Sequence, residues 1–346
     1  MYTFKTSERN NDKATEFETK SLLYLMTNAP DSDNVDLFII DCFNDVTGAS
    51  ANFSHSWDVQ SKGVASMTPG KIGAALYTLY ANYLSDIEFS HYILFIPPVK
   101  AEYITGTVND VFIFSDFKEN TAPKVRDGLR KEIAERKDND VISNTTDSSI
   151  ASFLSTVNFV VDNYGKADYI KRIIQFKSLS KLDDVFLTKI FEEIRARQST
   201  KKISNVNGKS VSSISEALDF DKHLHRKDLE LLVVNRIIGN DLFAARGVPL
   251  YFLPEVKNMD PEDIVDLLLD CKAKIGHTLF NKNNKKSFWQ FLEQIMQLVT
   301  KYPNFDINDI YAQIPTPIKD MVFTLDKIST LYLISVVKEG VKYANS

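Results

Sequence analysis

The spacing of apolar positions gives the chain two textures. Between Thr15 and Met26, the residues Phe17, Leu22, Leu23, Leu25 and Met26 predict a helix, and the turn-forming PDSDN at 30–34 ends it. VDLFIIDCFNDVTG follows as a β-rich run with carboxylates embedded in it, and HSWDVQSKG, from His55 to Gly63, reads as a second strand. Thr68 and Pro69 supply an N-cap and a first-turn proline for a helix to about Leu84, with Ile72, Leu76, Leu79, Tyr80 and Tyr83 on one face. HYILFIPPV is a third strand, DVFIFSDF at 110–117 a fourth, 123–137 a charged helix and VNFVVDN at 157–163 a further strand. Helix, strands, helix, then strands again predict a mixed α/β core.

Beyond about Asp162 the pattern turns helical, at 167–198, 213–238, 260–278, 286–302 and 316–343, and VPLYFLPEV at 248–256 is the one clear strand candidate. QSTKKISNVNGKS, 198–210, is the most linker-like stretch. Trp289, Phe288, Phe291, Ile295 and Leu298 form a stripe at helical spacing, which reads as core or, alternatively, as a partner surface. A chain of 346 residues exceeds the roughly 250 at which single cores stop growing. Two domains are therefore expected: 1–165 with a mixed sheet, and 166–346, mainly helical, for assembly and partner binding.

Composition narrows the class. Hydrophobic residues at 44% and charged residues at 25% are the balance of an ordinary globular protein with a sizeable core. No apolar run approaches the roughly 18 residues of a membrane span and the N-terminus is polar, so a cytoplasmic protein without membrane contact is expected. Cys42 and Cys271 lie far apart in apolar segments and read as buried hydrophobes, without a disulfide or zinc framework. A net charge of −5 argues against coating nucleic acid by overall charge and leaves local contact open. His223 and His225, two apart in a charged context, read as a solvated helix start, and His55 as a strand-start residue near the chemistry below.

Asp45, Gln60 and Lys62 carry that chemistry. Phosphodiester hydrolysis needs an oxygen cage for a hard cation and an ammonium to stabilise developing charge. On a strand Gln60 and Lys62 point the same way, and hairpin pairing would set Asp45 beside Gln60 across about 5 Å. Asp41 is expected to share a face with Asp45, and Asp58 with Gln60. Polar groups this dense at the ends of apolar strands are costly unless they have a use.

Helix, strand with Asp45, strand with Gln60-Ser61-Lys62, helix, strand resembles the PD-(D/E)xK nuclease superfamily in its QxK variant. The order is similar to the nuclease domain of CBASS double-stranded DNA endonuclease effectors and of the nuclease subunit of Lamassu anti-phage systems, over about residues 14–165. The resemblance implies a restriction-endonuclease-like fold and Mg²⁺- or Mn²⁺-dependent cleavage of double-stranded DNA with little sequence preference. It also implies a defence role held off until a partner or signal permits assembly, and a homo-oligomer in the active state. Asp45 corresponds to the metal-binding aspartate, Gln60 to the position usually Glu or Asp, and Lys62 to the catalytic lysine, while Asp41 is a further metal candidate. Relatives place an acid or amide on the first helix, for which Glu18 is the candidate ahead of Glu16. The C-terminal half has no Gly-rich phosphate loop, which favours control by a partner complex over a ligand bound in cis. The alternatives are a non-catalytic scaffold of a defence complex, or a nuclease of repair or restriction.

Overall fold

The computed structural model of the chain describes residues 1–4, 12–64, 66–107, 109–178, 182–244 and 247–344. Its strands are β1 (Tyr2–Thr3), β2 (Leu37–Ile40), β3 (Val46–Ala49), β4 (Ser56–Ser61), β5 (His91–Ile96), β6 (Val111–Ile113), β7 (Val157–Val161), β8 (Ser210–Val211) and β9 (His223–His225). The first helices are α1 (Asp12–Thr27), α2 (Pro69–Ala75), α3 (Tyr77–Tyr83), α4 (Ala122–Arg136), α5 (Asn139–Asn144), α6 (Asp147–Thr156), α7 (Lys166–Ile173) and α8 (Asp184–Lys201). They are followed by α9 (Arg226–Ile238), α10 (Leu253–Val256), α11 (Pro261–Phe280), α12 (Lys285–Lys301), α13 (Ile307–Gln313), α14 (Thr316–Asp320) and α15 (Lys327–Ala344). The fold is α/β with a helical C-terminal region, and among the described residues no helix is long and apolar enough to cross a membrane.

The chain divides into two compact units, Met1–Tyr169 with Phe191–Arg226, and Ile170–Ile190 with Lys227–Ser346. The boundary expected at 165/166 is thus corrected, because residues 191–226 pack with the sheet. β9 pairs with β2, setting Phe38 opposite Leu224. β8 pairs with β1, and Gln198 in the linker-like stretch is fully buried. That stretch is the last turn of α8, a turn at 202–209 bonded to Phe4 through Gly208 and Lys209, and the first residue of β8, so it packs with the sheet unit.

The main sheet of the first unit has seven strands in the order β6-β7-β5-β4-β3-β2-β9. β4, β5 and β7 run parallel, and the other pairs are antiparallel. Alternation sends Trp57, Val59 and Phe95 to the α1 side, where Phe17 and Tyr24 meet Phe95, and sends Asp58 and Gln60 to the α3 side. Both faces are covered, so β4 is buried throughout and β5 is buried from Tyr92 onward. Thr68 caps α2 by accepting from the Lys71 N–H, and Pro69 opens it. Gly73 and Gly128 let α2 and α4 touch through backbone: a Cβ on Gly73 would lie 1.9 Å from the Val125 carbonyl oxygen.

The run at 35–48 is two strands rather than one. β2 stops at Ile40, Asp41 takes the left-handed conformation with φ of 53°, and the chain returns in β3. Aspartate tolerates that region better than most residues, so the turn forms without glycine or proline. His223 and His225 lie on β9 and not at a helix start, since α9 begins at Arg226. Arg226 itself donates to the carbonyls of Met26, Ser32 and Val35, closing the end of α1 and the turn after it.

In the second unit α11, α12 and α13 pack around α15, whose Leu331, Leu333, Ile334 and Val337 are buried. Phe288, Trp289, Phe291, Ile295 and Leu298 are buried too, so this stripe is core. The strand expected at 248–256 is instead a 3-10 turn, Leu250–Phe252, running into α10. Pro249 and Pro254 fix φ near helical values and remove N–H groups a ladder needs. Cys271 is buried here, and Cys42 in the first unit is half-buried; both are free thiols.

Candidate active site

A cleft of about 670 Å³ opens in the first unit at the ends of β3 and β4. Glu18, Asp41, Asp45, Gln60, Lys62 and Lys202 are among the residues that line it. The register explains the meeting of Asp45 and Gln60. Val46 pairs with Val59, so one step further along the antiparallel ladder Asp45 stands opposite Gln60. Gln60 Nε2 donates to Asp45 Oδ2 at 2.7 Å. The same oxygen accepts from the Ser61 N–H at 2.7 Å and from Ser61 Oγ at 2.8 Å. With its nitrogen turned to Asp45, Gln60 points Oε1 at Thr78 Oγ1, which donates at 2.5 Å.

Withdrawal from water pushes the Asp45 pKa up, while Lys62, the Ser61 donors and Lys202 pull the other way. Lys62 lies two residues beyond Gln60, its backbone N–H donating to the Phe95 carbonyl at 2.9 Å, and it lines the same cleft. Glu18 comes from α1, which packs on β3 and β4, and its carboxylate pairs with the Lys202 ammonium. Burial and the neighbouring Asp45 charge raise Glu18 to about 7 against the pull of Lys202. Glu16 faces elsewhere, bound to Lys166 at 2.9 Å.

Asp41 is not on the Asp45 strand face. Its left-handed turn hands its carboxylate to Lys222, at 3.4 Å, and Lys222 also donates to the Asp41 carbonyl at 3.1 Å. Asp58 does share its side of the sheet with Gln60, but it is sealed in. Asn44 Nδ2 donates to both its oxygens at 2.9 Å and Asn82 Nδ2 to one at 2.8 Å. Burial lifts Asp58 to about 7, although both asparagines favour the charged form. His55 is exposed and outside the lining of the cleft.

The donors that could hold a hard cation are Asp45, Glu18 and, after a half-turn of its amide, the Gln60 oxygen. Among the described residues no group of three His, Cys, Asp or Glu is gathered to hold a metal, and this set has two carboxylates and an amide. Two buried carboxylates, with the Asp45 charge pushing Glu18 up, are a donor set that a divalent cation would relieve. Thr78, Ser61 and Lys202 belong to the site without a signal at short range. Thr78 is a polar interruption between Tyr77 and Leu79, and Lys202 arrives from far along the chain.

Compared with family models, curated proteins and solved structures, the chain matches none. The functional reading therefore rests on the cleft.

Proposed function

We propose that the chain is a metal-dependent endonuclease that cleaves double-stranded DNA with little sequence preference, on a restriction-endonuclease-like sheet unit. In this reading it is a cytoplasmic effector of bacterial anti-phage defence, controlled by partner proteins or by its own oligomerisation. The observation that supports it is the 2.7 Å contact of Gln60 with Asp45, with Lys62 following on the rim of the same cleft. Asp45 and Glu18 would hold Mg²⁺ or Mn²⁺, with Gln60 joining once its amide turns from Thr78. Such a cation supplies Lewis-acid polarisation and an activated water. Lys62 places an ammonium where charge develops on the phosphate, and Ser61 fixes the Asp45 carboxylate with two hydrogen bonds. Asp41, committed to Lys222, shapes the turn that delivers Asp45.

A second reading, a non-catalytic scaffold, draws on the saturation of Asp45 Oδ2 by three internal donors. The deciding experiment incubates the protein and its Lys62→Ala variant with linear and supercoiled double-stranded DNA in Mg²⁺, Mn²⁺ or EDTA. Cleavage that requires both metal and Lys62 is expected. Cleavage that persists in EDTA or in the variant sinks this assignment, and inert protein that binds no Mn²⁺ favours the scaffold.

A further inference from the structure

Lys202 stands one residue beyond the end of α8, with its backbone N–H donating to the Ser199 carbonyl at 3.1 Å. Its side chain is only 8% exposed and its ammonium meets Glu18, itself 10% exposed. One turn earlier on α8, the fully buried Gln198 accepts from Thr19 Oγ1 at 2.8 Å. Positions 198 and 202 thus grip the consecutive residues Thr19 and Glu18 of α1, and the second contact is held in place by the first. The grip has a cost, since Gln198 Nε2 is buried without a hydrogen-bond partner. A surface lysine resting on a carboxylate would not need it.

The charges in the cleft interior balance. Around Asp45 three carboxylates, Glu18, Asp41 and Asp45, stand with three ammonium groups, Lys62, Lys202 and the Lys222 that pairs with Asp41. A divalent cation added among them leaves an excess of positive charge in a region shielded from water, where like charges repel strongly. We propose that Lys202 is a tethered counter-ion: it occupies the electrostatic place of the metal at Glu18, and the site loads only when that ammonium withdraws. This inference rests on the metal-dependent reading above and names a regulation of that same site. A DNA phosphate gives the withdrawn ammonium another partner, so DNA arrival and metal loading are coupled through one side chain.

The test is Mn²⁺ binding, followed by electron paramagnetic resonance or calorimetry on the full chain without DNA. Lys202→Met removes the charge but leaves Glu18 unpaired, so Lys202→Gln, whose amide still donates to Glu18, is measured beside it. Both variants are expected to bind Mn²⁺ at least about tenfold more tightly than the parent, a difference of roughly 1.4 kcal/mol, and Lys202→Arg to restore weak binding. Variants that fold, by circular dichroism, and bind Mn²⁺ no more tightly than a parent that does bind it overturn the counter-ion role alone. Parent and variants that all fail to bind Mn²⁺ overturn it together with the metal-dependent reading.

Discussion

Thr78 and Asn82 stand one turn apart on α3 and donate to residues one pleat repeat apart on β4, Thr78 to Gln60 at 2.5 Å and Asn82 to Asp58 at 2.8 Å. Four residues of helix advance roughly 6 Å and two residues of strand roughly 6.7 Å. A helix laid along a strand can therefore keep both contacts in register. Gln60 is oriented from behind by α3 while Asp45 holds it from the front.

Replacing Thr78 with Val keeps the shape and removes the donor to Gln60 Oε1. The stranded amide oxygen lowers stability by about 1–3 kcal/mol. The same change releases Gln60 to turn its oxygen toward the cleft, so Mn²⁺ affinity is expected to hold or rise as stability falls. Urea melts and a Mn²⁺ titration on one preparation check this, and a joint fall of both disproves it.

Asp58 sets a pH dependence of stability. Its folded pKa, about 7, lies above the usual carboxylate range, so the folded state holds the proton more tightly than the unfolded state between roughly pH 4 and 7. Stability is therefore greatest below that window and declines as pH rises through it, by up to about 4 kcal/mol from this group. Glu18, raised to about 7, adds a decline of the same sign. Asp58→Asn cannot titrate, so denaturant midpoints measured from pH 4 to 8 should slope less steeply than in the parent. An unchanged slope would exclude Asp58 as the titrating group.

Lys62→Ala should separate chemistry from loading. Losing the ammonium costs at least about 10²-fold in single-turnover cleavage. Removing a positive charge beside Asp45 leaves cation affinity equal or higher. A variant that loses cleavage only because it no longer binds Mn²⁺ contradicts the role given to Lys62.

Gly70 and Gly73, three residues apart on α2, give a packing control. Gly73→Ala drives a methyl group into the Val125 carbonyl and should cost about 1–3 kcal/mol, whereas a Cβ on Gly70 meets nothing within 4 Å and Gly70→Ala should gain about 0.5–1 kcal/mol. Thermal melts of the pair read both signs at once.

The meeting of Asp45 and Gln60 was legible because it needs only strand alternation and an antiparallel partner. Asp41 was misplaced because its turn carries no glycine or proline and the apolar run continues through Cys42 and Phe43, which looks like uninterrupted strand. β9 was hidden for another reason. Three residues, His223–His225, form a strand only because β2 offers them an edge, and no local pattern records that. Lys202 meets Glu18 and Lys222 meets Asp41 across separations of 184 and 181 residues, and long-range contacts leave no periodic trace. The prolines at 249 and 254 are the local signal against a strand there, since both break its ladder.

Because residues 191–226 belong to the sheet unit, the order of synthesis matters. A nascent chain that has delivered Asp45, Gln60 and Lys62 still lacks Lys202 at Glu18, Lys222 at the Asp41 turn and Arg226 at the end of α1. The unit closes only after about two thirds of the 346 residues have left the ribosome. A message cut short before that point yields an incomplete cleft, and no single contiguous fragment of the chain ending near residue 165 reproduces it.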